Sequence, residues 1–217
     1  MKEKITLITK DNVKLSAIHY KIKIPSAGMT LLHMMPATKE SYNEFAGALQ
    51  NNHIGVLAID LRGHGESLGG PKAYESFTDE KHQKSIEDVK TAVEFQKKEG
   101  HSPIFLCGAS IGANLALQYI SESKDVKKAI LLSPGLNYKG IETLPLAKKI
   151  TSNKEVYIIA ARDDIRQLGS ADQQAQEIYN ALNCKKEIKI LQKGGHGTDI
   201  LKNNPKIIQE LINWLKS

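Results

Sequence analysis

Pro-Ile-Phe-Leu-Cys-Gly-Ala-Ser-Ile-Gly-Ala-Asn-Leu-Ala-Leu-Gln-Tyr-Ile, residues 103–120, changes periodicity half-way along. Ile104, Phe105, Leu106 and Cys107 form a short continuous apolar run, as a strand buried on both faces requires. Leu115, Ala116, Tyr119 and Ile120 then recur at helical spacing. Between the two lies Gly108-Ala109-Ser110-Ile111-Gly112, a G-x-S-x-G pentapeptide at a strand-to-helix turn. Its glycines leave no Cβ where strand and helix pass closely, and the tight turn pushes the serine hydroxyl out above the sheet. The amides of Ile111 and Gly112 open a helix N-terminus, a place that favours developing negative charge.

On either side of this stretch the chain alternates strands and helices. Residues 3–10 and 13–24 read as an edge hairpin turning at Asp11-Asn12. Buried strands are predicted at 29–33, 55–60, 129–133, 156–161 and 188–191, with the central strand at 104–107. Ser41 and Glu44 have the spacing of a capping box before an apolar helical face of Phe45, Ala48 and Leu49. Asp79 is placed to cap a helix over 80–98, with Ile86, Val89 and Val93 on one stripe. Helices follow at 171–182 and 205–216, the last striped by Ile207, Ile208, Leu211, Ile212 and Leu215. Strand–helix alternation of this kind argues for a mostly parallel eight-stranded sheet with helices on both faces, closed by an N-terminal antiparallel hairpin. No repeat, low-complexity tract or linker divides residues 1–217, so one domain is expected.

In an open parallel sheet functional groups collect at the carboxyl ends of strands. The central strand ends in Ser110. The strand at 156–161 ends in Arg162-Asp163-Asp164, and the strand at 188–191 leads to Gly194-Gly195-His196-Gly197. A serine hydroxyl needs a base at neutral pH, and the base needs an orienting anion. Ser110, then Asp163 or Asp164, then His196 supplies all three in the chain order of α/β-hydrolases. A small-x-x-Asp turn places its anion at the fourth position, so Ala161-Arg162-Asp163-Asp164 favours Asp164, with Asp163 the alternative. His196, flanked by glycines, is free to lean over the sheet. His19, His53, His82 and His101 are assigned to an edge strand or helix termini, outside this constellation.

These pieces resemble the α/β-hydrolase superfamily, and with it small esterases and dienelactone-hydrolase-like proteins that lack a cap. The resemblance is carried by His33-Met34-Met35-Pro36, Asp60-Leu61-Arg62-Gly63-His64-Gly65-Glu66-Ser67, the pentapeptide, the Asp163-Asp164 turn and Gly195-His196-Gly197. It implies an oxyanion hole from the amides of Met35 and Ile111, although Met34 stands where the family usually has glycine. It also implies that His33, Asp60 and Arg62 hold loops rather than react. Larger members insert a cap between the strands at 129–133 and 156–161. Here that connection is short, with at most one helical segment in 139–153, so a minimal cap and an open site are expected. Met34, Leu136, Tyr138, Leu144 and Leu146 are the candidate pocket residues. Dienelactone hydrolases proper use a cysteine nucleophile, and this chain has serine.

Composition narrows the rest. Of 217 residues 41% are hydrophobic and 25% charged, a globular balance, and no apolar run reaches a membrane span. Two cysteines make neither a disulfide framework nor a metal-ligand spacing, and a charged N-terminus is a poor signal peptide, so the cytosol is expected. The net charge of +6 is spread in lysine pairs beside acidic residues, without the basic stripe and interleaved aromatics of a nucleic-acid binder. The reading is a serine hydrolase acting on small-molecule carboxylic esters, with no metal or organic cofactor implied. Thioesters, lactones and acyl-peptides are alternative substrates, and a ligand-binding protein on the same fold is the alternative of another class. Oligomeric state, a homodimer included, is left open by the sequence.

Overall fold

The computed structural model describes residues 1–166 and 169–217. Its strands, in chain order, are β1 (Lys2–Ile8), β2 (Lys14–Tyr20), β3 (Gly28–Leu32), β4 (Gly55–Ile59), β5 (Ile104–Ala109), β6 (Val126–Leu132), β7 (Asn137–Tyr138), β8 (Ile141–Glu142), β9 (Glu155–Ala161), β10 (Ile165–Arg166), β11 (Gly169–Ser170) and β12 (Lys185–Leu191). The helices are α1 (Asn43–Asn51), α2 (Asp79–Gln83), α3 (Ile86–Lys98), α4 (Ile111–Glu122), α5 (Thr143–Lys149), α6 (Ala171–Ala181), α7 (Asp199–Asn203) and α8 (Lys206–Lys216). Eight strands form one sheet in the order β1-β2-β4-β3-β5-β6-β9-β12. Only the β1–β2 and β2–β4 pairs are antiparallel. This is the expected mostly parallel eight-stranded sheet with its N-terminal hairpin.

The apolar runs are continuous because each strand buries both faces. Along β4, Leu57 and Ile59 join one core layer while Val56 and Ala58 join the other. Along β5, Ile104 and Leu106 oppose Phe105 and Cys107 in the same way. Residues of α3, α4 and α6 cover the first layer, and those of α1 and α8 the second. Both cysteines are free.

Three local expectations are corrected. The Ser41–Glu44 capping box does not form: Ser41 donates its hydroxyl to the Thr38 carbonyl at 2.8 Å, and a 3₁₀ turn over Lys39–Tyr42 precedes α1. The buried Asp60 carboxylate takes both the backbone N–H and the ammonium of Lys39, which tightens the chain there. The helix expected over 80–98 is two helices, and Thr78 rather than Asp79 caps the first. His82 and Asp88 are both buried. Six residues apart they would lie about 120° apart around one straight helix, and the break at Lys84-Ser85 lets both turn inward. Residues 139–153 carry one short helix, as expected, behind a small hairpin. The β7–β8 hairpin turns at Lys139 (φ 55°) and Gly140 (φ 77°), a pattern of two left-handed residues that suits a tight hairpin, and α5 follows.

The strand order reverses direction between β3 and β5, which opens a crevice at their carboxyl ends. The width of that crevice is set by Gly108 and Gly112. A Cβ on Gly112 would lie 2.3 Å from the Leu32 carbonyl oxygen, and one on Gly108 would lie 2.0 Å from that of Gly112. Both obstacles are backbone and cannot rotate away. Gly112→Ala is therefore expected to lower the unfolding free energy by about 1–3 kcal/mol, read from urea denaturation. Gly47→Ala, in α1 with nothing within 4 Å of the added methyl, is the contrasting variant, expected to be neutral or to gain up to ~1 kcal/mol.

Candidate active site

Ser110 occupies the turn between β5 and α4 at φ 53°, ψ −119°, a backbone region that a non-glycine residue holds only under constraint. Its N–H donates to the Leu132 carbonyl at 2.9 Å, and its carbonyl accepts from Ala113 and Asn114. The Ile111 amide, first in α4, donates to no acceptor among the described residues, and neither does that of Met35. Both donors remain available at the crevice.

His196 and Asp164 arrive from the ends of β12 and β9. Nδ1 of His196 donates to Oδ2 of Asp164 at 2.6 Å, which fixes the tautomer and leaves Nε2 as the lone-pair nitrogen. Oδ1 of Asp164 accepts from Nε of Arg166 at 2.6 Å. Burial pushes the Asp164 carboxyl upward, but the hydrogen bonds and charges of His196 and Arg166 outweigh it and hold the pKa below the usual value. Asp163 points elsewhere, accepting the amides of Gly194 at 3.0 Å and Gly195 at 3.1 Å. Arg162 reaches Asp172 instead, at 3.7 Å. The Gly197 amide donates to Ser133 Oγ at 3.0 Å, and Asn203 donates to the Gly194 carbonyl. The histidine loop is thus tied to three neighbouring segments. No hydrogen bond joins Ser110 to His196 among the described residues, a contact that often forms only with substrate in place.

The loop after β3 is held by His33. Its Nε2 accepts the Leu61 amide at 3.0 Å, so Nδ1 carries the proton and donates to the Met34 carbonyl at 2.8 Å. Burial, with the fields of His64 and Lys39 adding, pushes the His33 pKa down to about 4. Asp60 binds Lys39 and the Glu66 amide, and Arg62 bridges Asp88 to Asp11. These side chains lock loops together. Met34 packs towards Gly197, where an added Cβ would lie 2.6 Å from its sulfur.

The cap is the β7–β8 hairpin and α5. Small as it is, it does not leave the serine open as expected: Ser110 is only 7% exposed and His196 9%. Tyr138, on the hairpin, lies edge-on to His196 with ring centroids 6.5 Å apart, and its hydroxyl is close enough to Ser110 to interact. Leu136 and Leu144 line a 310 Å³ pocket with Asn137, Glu142 and Pro145, while Leu146 packs on the core. A second pocket, of 280 Å³, is lined by Met35, Pro36, Tyr74, Glu75, His82 and Lys139. His82 was assigned to a helix terminus, yet it is buried, as are His19 and His101. Sequence reading also missed Ser133 and Arg166. Nothing local marks Ser133, which acts through a loop distant in sequence. Arg166 lies two residues beyond the aspartate it serves, and that proximity was the available signal.

The family model described as serine aminopeptidase, S33, matches residues 23–190. The chain belongs to that family of α/β hydrolases. Among solved structures, the esterase Pf2001 of Pyrococcus furiosus is 22% identical with a TM-score of 0.81, over 100% of this chain and 92% of that one. The esterase EaEST of Exiguobacterium antarcticum is 15% identical with a TM-score of 0.78, over 99% and 100%. A dienelactone hydrolase of Anabaena variabilis is 14% identical with a TM-score of 0.74, over 99% and 94%. At these identities the likeness is one of fold. No curated protein matches the chain. The matched segment ends before the His196 loop, so that loop stands on its geometry. Among the described residues no helix is long and apolar enough to cross a membrane, and no cluster of acidic, histidine and cysteine side chains could hold a metal.

The buried neutral His33 makes the hydrolase acid-sensitive. Its folded pKa of about 4 lies below an unfolded value near 6.5, so the unfolded chain binds the proton more readily. The stability it contributes is whole above pH 6.5 and is lost as pH falls towards 4. Between pH 7 and 5 the loss from this group is about 2 kcal/mol. Urea unfolding across that interval should show the decline, and a flat profile would contradict the assignment.

Proposed function

We propose that this hydrolase cleaves small carboxylic esters through an acyl-enzyme. The observation that carries the reading is the 2.6 Å His196–Asp164 hydrogen bond, held at the same sheet end as the constrained turn of Ser110. In this reading Ser110 Oγ attacks the ester carbonyl while Nε2 of His196 takes its proton. Asp164 fixes the imidazole and stabilises the imidazolium. The amides of Met35 and Ile111 receive the oxyanion, where prearranged donors do the most for the transition state. His196 then protonates the departing alcohol. It next takes a proton from water, whose oxygen attacks the acyl carbon and frees Ser110. Asp163 keeps the histidine loop in place and exchanges no proton. The esterase names among structures of the same fold agree with an ester as substrate, and the small cap suits a small one.

A fluorophosphonate should add once per chain, on Ser110, by intact-mass measurement; a folded protein that takes no adduct would sink the reading. Ser110→Ala should lower kcat on a p-nitrophenyl ester by on the order of 10⁶. Asp164→Asn should cost on the order of 10⁴ in kcat and Asp163→Asn far less, because the amide oxygen of Asn can still accept from Gly194. The reverse ranking would exchange the two aspartates.

A further inference from the structure

We propose that Tyr138 is a catalytic residue whose hydroxyl donates a hydrogen bond to the departing oxygen of the ester while His196 delivers the proton. The inference rests on the ester-hydrolase reading above and adds to it a group from the cap.

Strand order puts this hydroxyl on the side where the alcohol leaves. Across the middle of the sheet the order is β3-β5-β6-β9-β12. Met35 follows β3, on one side of Ser110. The Tyr138 hairpin follows β6, and Asp164 and His196 follow β9 and β12, on the other side. The leaving oxygen must lie within reach of His196, which protonates it. Tyr138 stands edge-on to that imidazole, ring centroids 6.5 Å apart, and its hydroxyl meets Ser110. In the tetrahedral intermediate Ser110 Oγ and the leaving oxygen are bonded to the same carbon. A hydroxyl that meets the first and flanks His196 therefore reaches the second.

The tyrosine is held from the helix that begins at the nucleophile. Asn114, fully buried in the first turns of α4, donates its backbone N–H to the Ser110 carbonyl. Its side chain accepts from the Gly135 amide at 3.1 Å and donates to the carbonyls of Gly135 and Ile141, each at 3.0 Å. One residue on either arm of the hairpin is thus clamped. Thr143 adds a second donor to the Gly135 carbonyl at 2.9 Å. The Tyr138 ring lies on Gly135, where an added Cβ would come within 2.6 Å of it.

Among the described residues the hydroxyl meets no hydrogen-bond partner but Ser110. Burial, with the Asp164 charge adding, raises its pKa above the ordinary tyrosine value, against the opposing pull of Ser110 and Arg166. At neutral pH it is an uncharged O–H that can donate. Its bond to the resting serine is one between neutral groups. A bond to an oxygen gaining negative charge is charge-assisted and stronger. That difference exists only on the way to products, which is where it raises the rate. As the intermediate collapses, the carbon–oxygen bond to the alcohol breaks and its electron pair stays on the leaving oxygen. The proton passes to that oxygen from Nε2 of the His196 imidazolium. The Tyr138 proton stays on the phenol and shares the charge until the transfer is complete.

Tyr138→Phe keeps the ring on Gly135 and removes the hydroxyl alone. The test measures kcat/KM for ethyl, 2,2,2-trifluoroethyl and 4-nitrophenyl acetate, which share one acyl group and have successively less basic leaving oxygens. The variant should lose roughly 10–100-fold on ethyl acetate, the effect of one hydrogen bond to a charged acceptor, less on the trifluoroethyl ester and no more than about threefold on the 4-nitrophenyl ester. Its urea unfolding and its fluorophosphonate labelling at Ser110 should match those of the native hydrolase. Tyr138→Leu should give the same ranking of losses and decides the question if the Phe protein fails to fold. Equal losses on the three esters, or no loss on any, overturn the role of Tyr138 and leave the esterase reading intact. Native turnover confined to the 4-nitrophenyl ester does the same, because a group that assists basic leaving oxygens would then be idle. Absence of native turnover with every ester, together with no fluorophosphonate adduct, overturns both.

Discussion

The approach of Gly112 to the Leu32 carbonyl fixes the distance on which the site depends. Met35 lies three residues beyond Leu32, and Ile111 immediately precedes Gly112. The two free amides can converge on one oxygen only if α4 starts hard against the end of β3. A side chain at Gly112 would separate them before any other part of the sheet moved. The Ser110 backbone, held in a sparsely allowed region, is the local cost of that closeness. It is tolerated because β5 lies between β3 and β6 and is buried on both faces, so the turn has no room to relax.

Charge does the corresponding work for the loops. Lys39 is enclosed with its ammonium 2.7 Å from Asp60, 2.9 Å from Glu66 and 3.0 Å from Glu40. Arg62 bridges buried Asp88 and half-exposed Asp11. Removing one member of such a buried pair typically costs about 3–5 kcal/mol, yet an apolar replacement of the whole pair can be neutral. Their contribution is better sought in geometry than in net stability. Asp60 holds the start of the turn after β3 and the Glu66 amide at once, and His33 holds the Leu61 amide and the Met34 carbonyl. The oxyanion loop and the loop after β4 are consequently one unit. A neutral, buried His33 is what allows its two nitrogens to play opposite roles, one accepting and one donating.

The large features were legible because they depend on periodicity and on strand ends. Continuous apolar runs announced the parallel sheet, and the residues following them placed Ser110, Asp164 and His196 at one edge. What was not legible depends on contacts between segments distant in sequence. The break before α3 is invisible to a helical stripe that Ile86, Val89 and Val93 satisfy by themselves; it exists because His82 and Asp88 must both turn inward. The capping box at Ser41 lost to Asp60, twenty-one residues away from Lys39. Histidines at helix ends read as surface groups, whereas His82 is covered by the hairpin tip and the β4–α3 connection, which a sequence does not show meeting. The two aspartates divide their work through partners on another strand: Asp164 faces a side chain and Asp163 faces two amides.

The cap shows how little chain is needed to enclose a site. The β7–β8 hairpin has two residues in each strand, joined by Lys139 and Gly140 in left-handed conformations. Such a turn twists with its strands and so projects Tyr138 to a defined place. Tyr138 packs on Gly135, where any side chain would strike its ring, and from there it reaches towards Ser110 and His196. The residue after it lines the pocket beside Met35. Shielding of the nucleophile and the charge at the neighbouring pocket are therefore set by consecutive residues of one turn. A substitution that unwinds Lys139-Gly140 would alter both together, whereas one that preserves the left-handed backbone separates them. This coupling is the physical consequence of replacing a cap domain with a hairpin: the lid has no independent core, and its position is dictated by the turn.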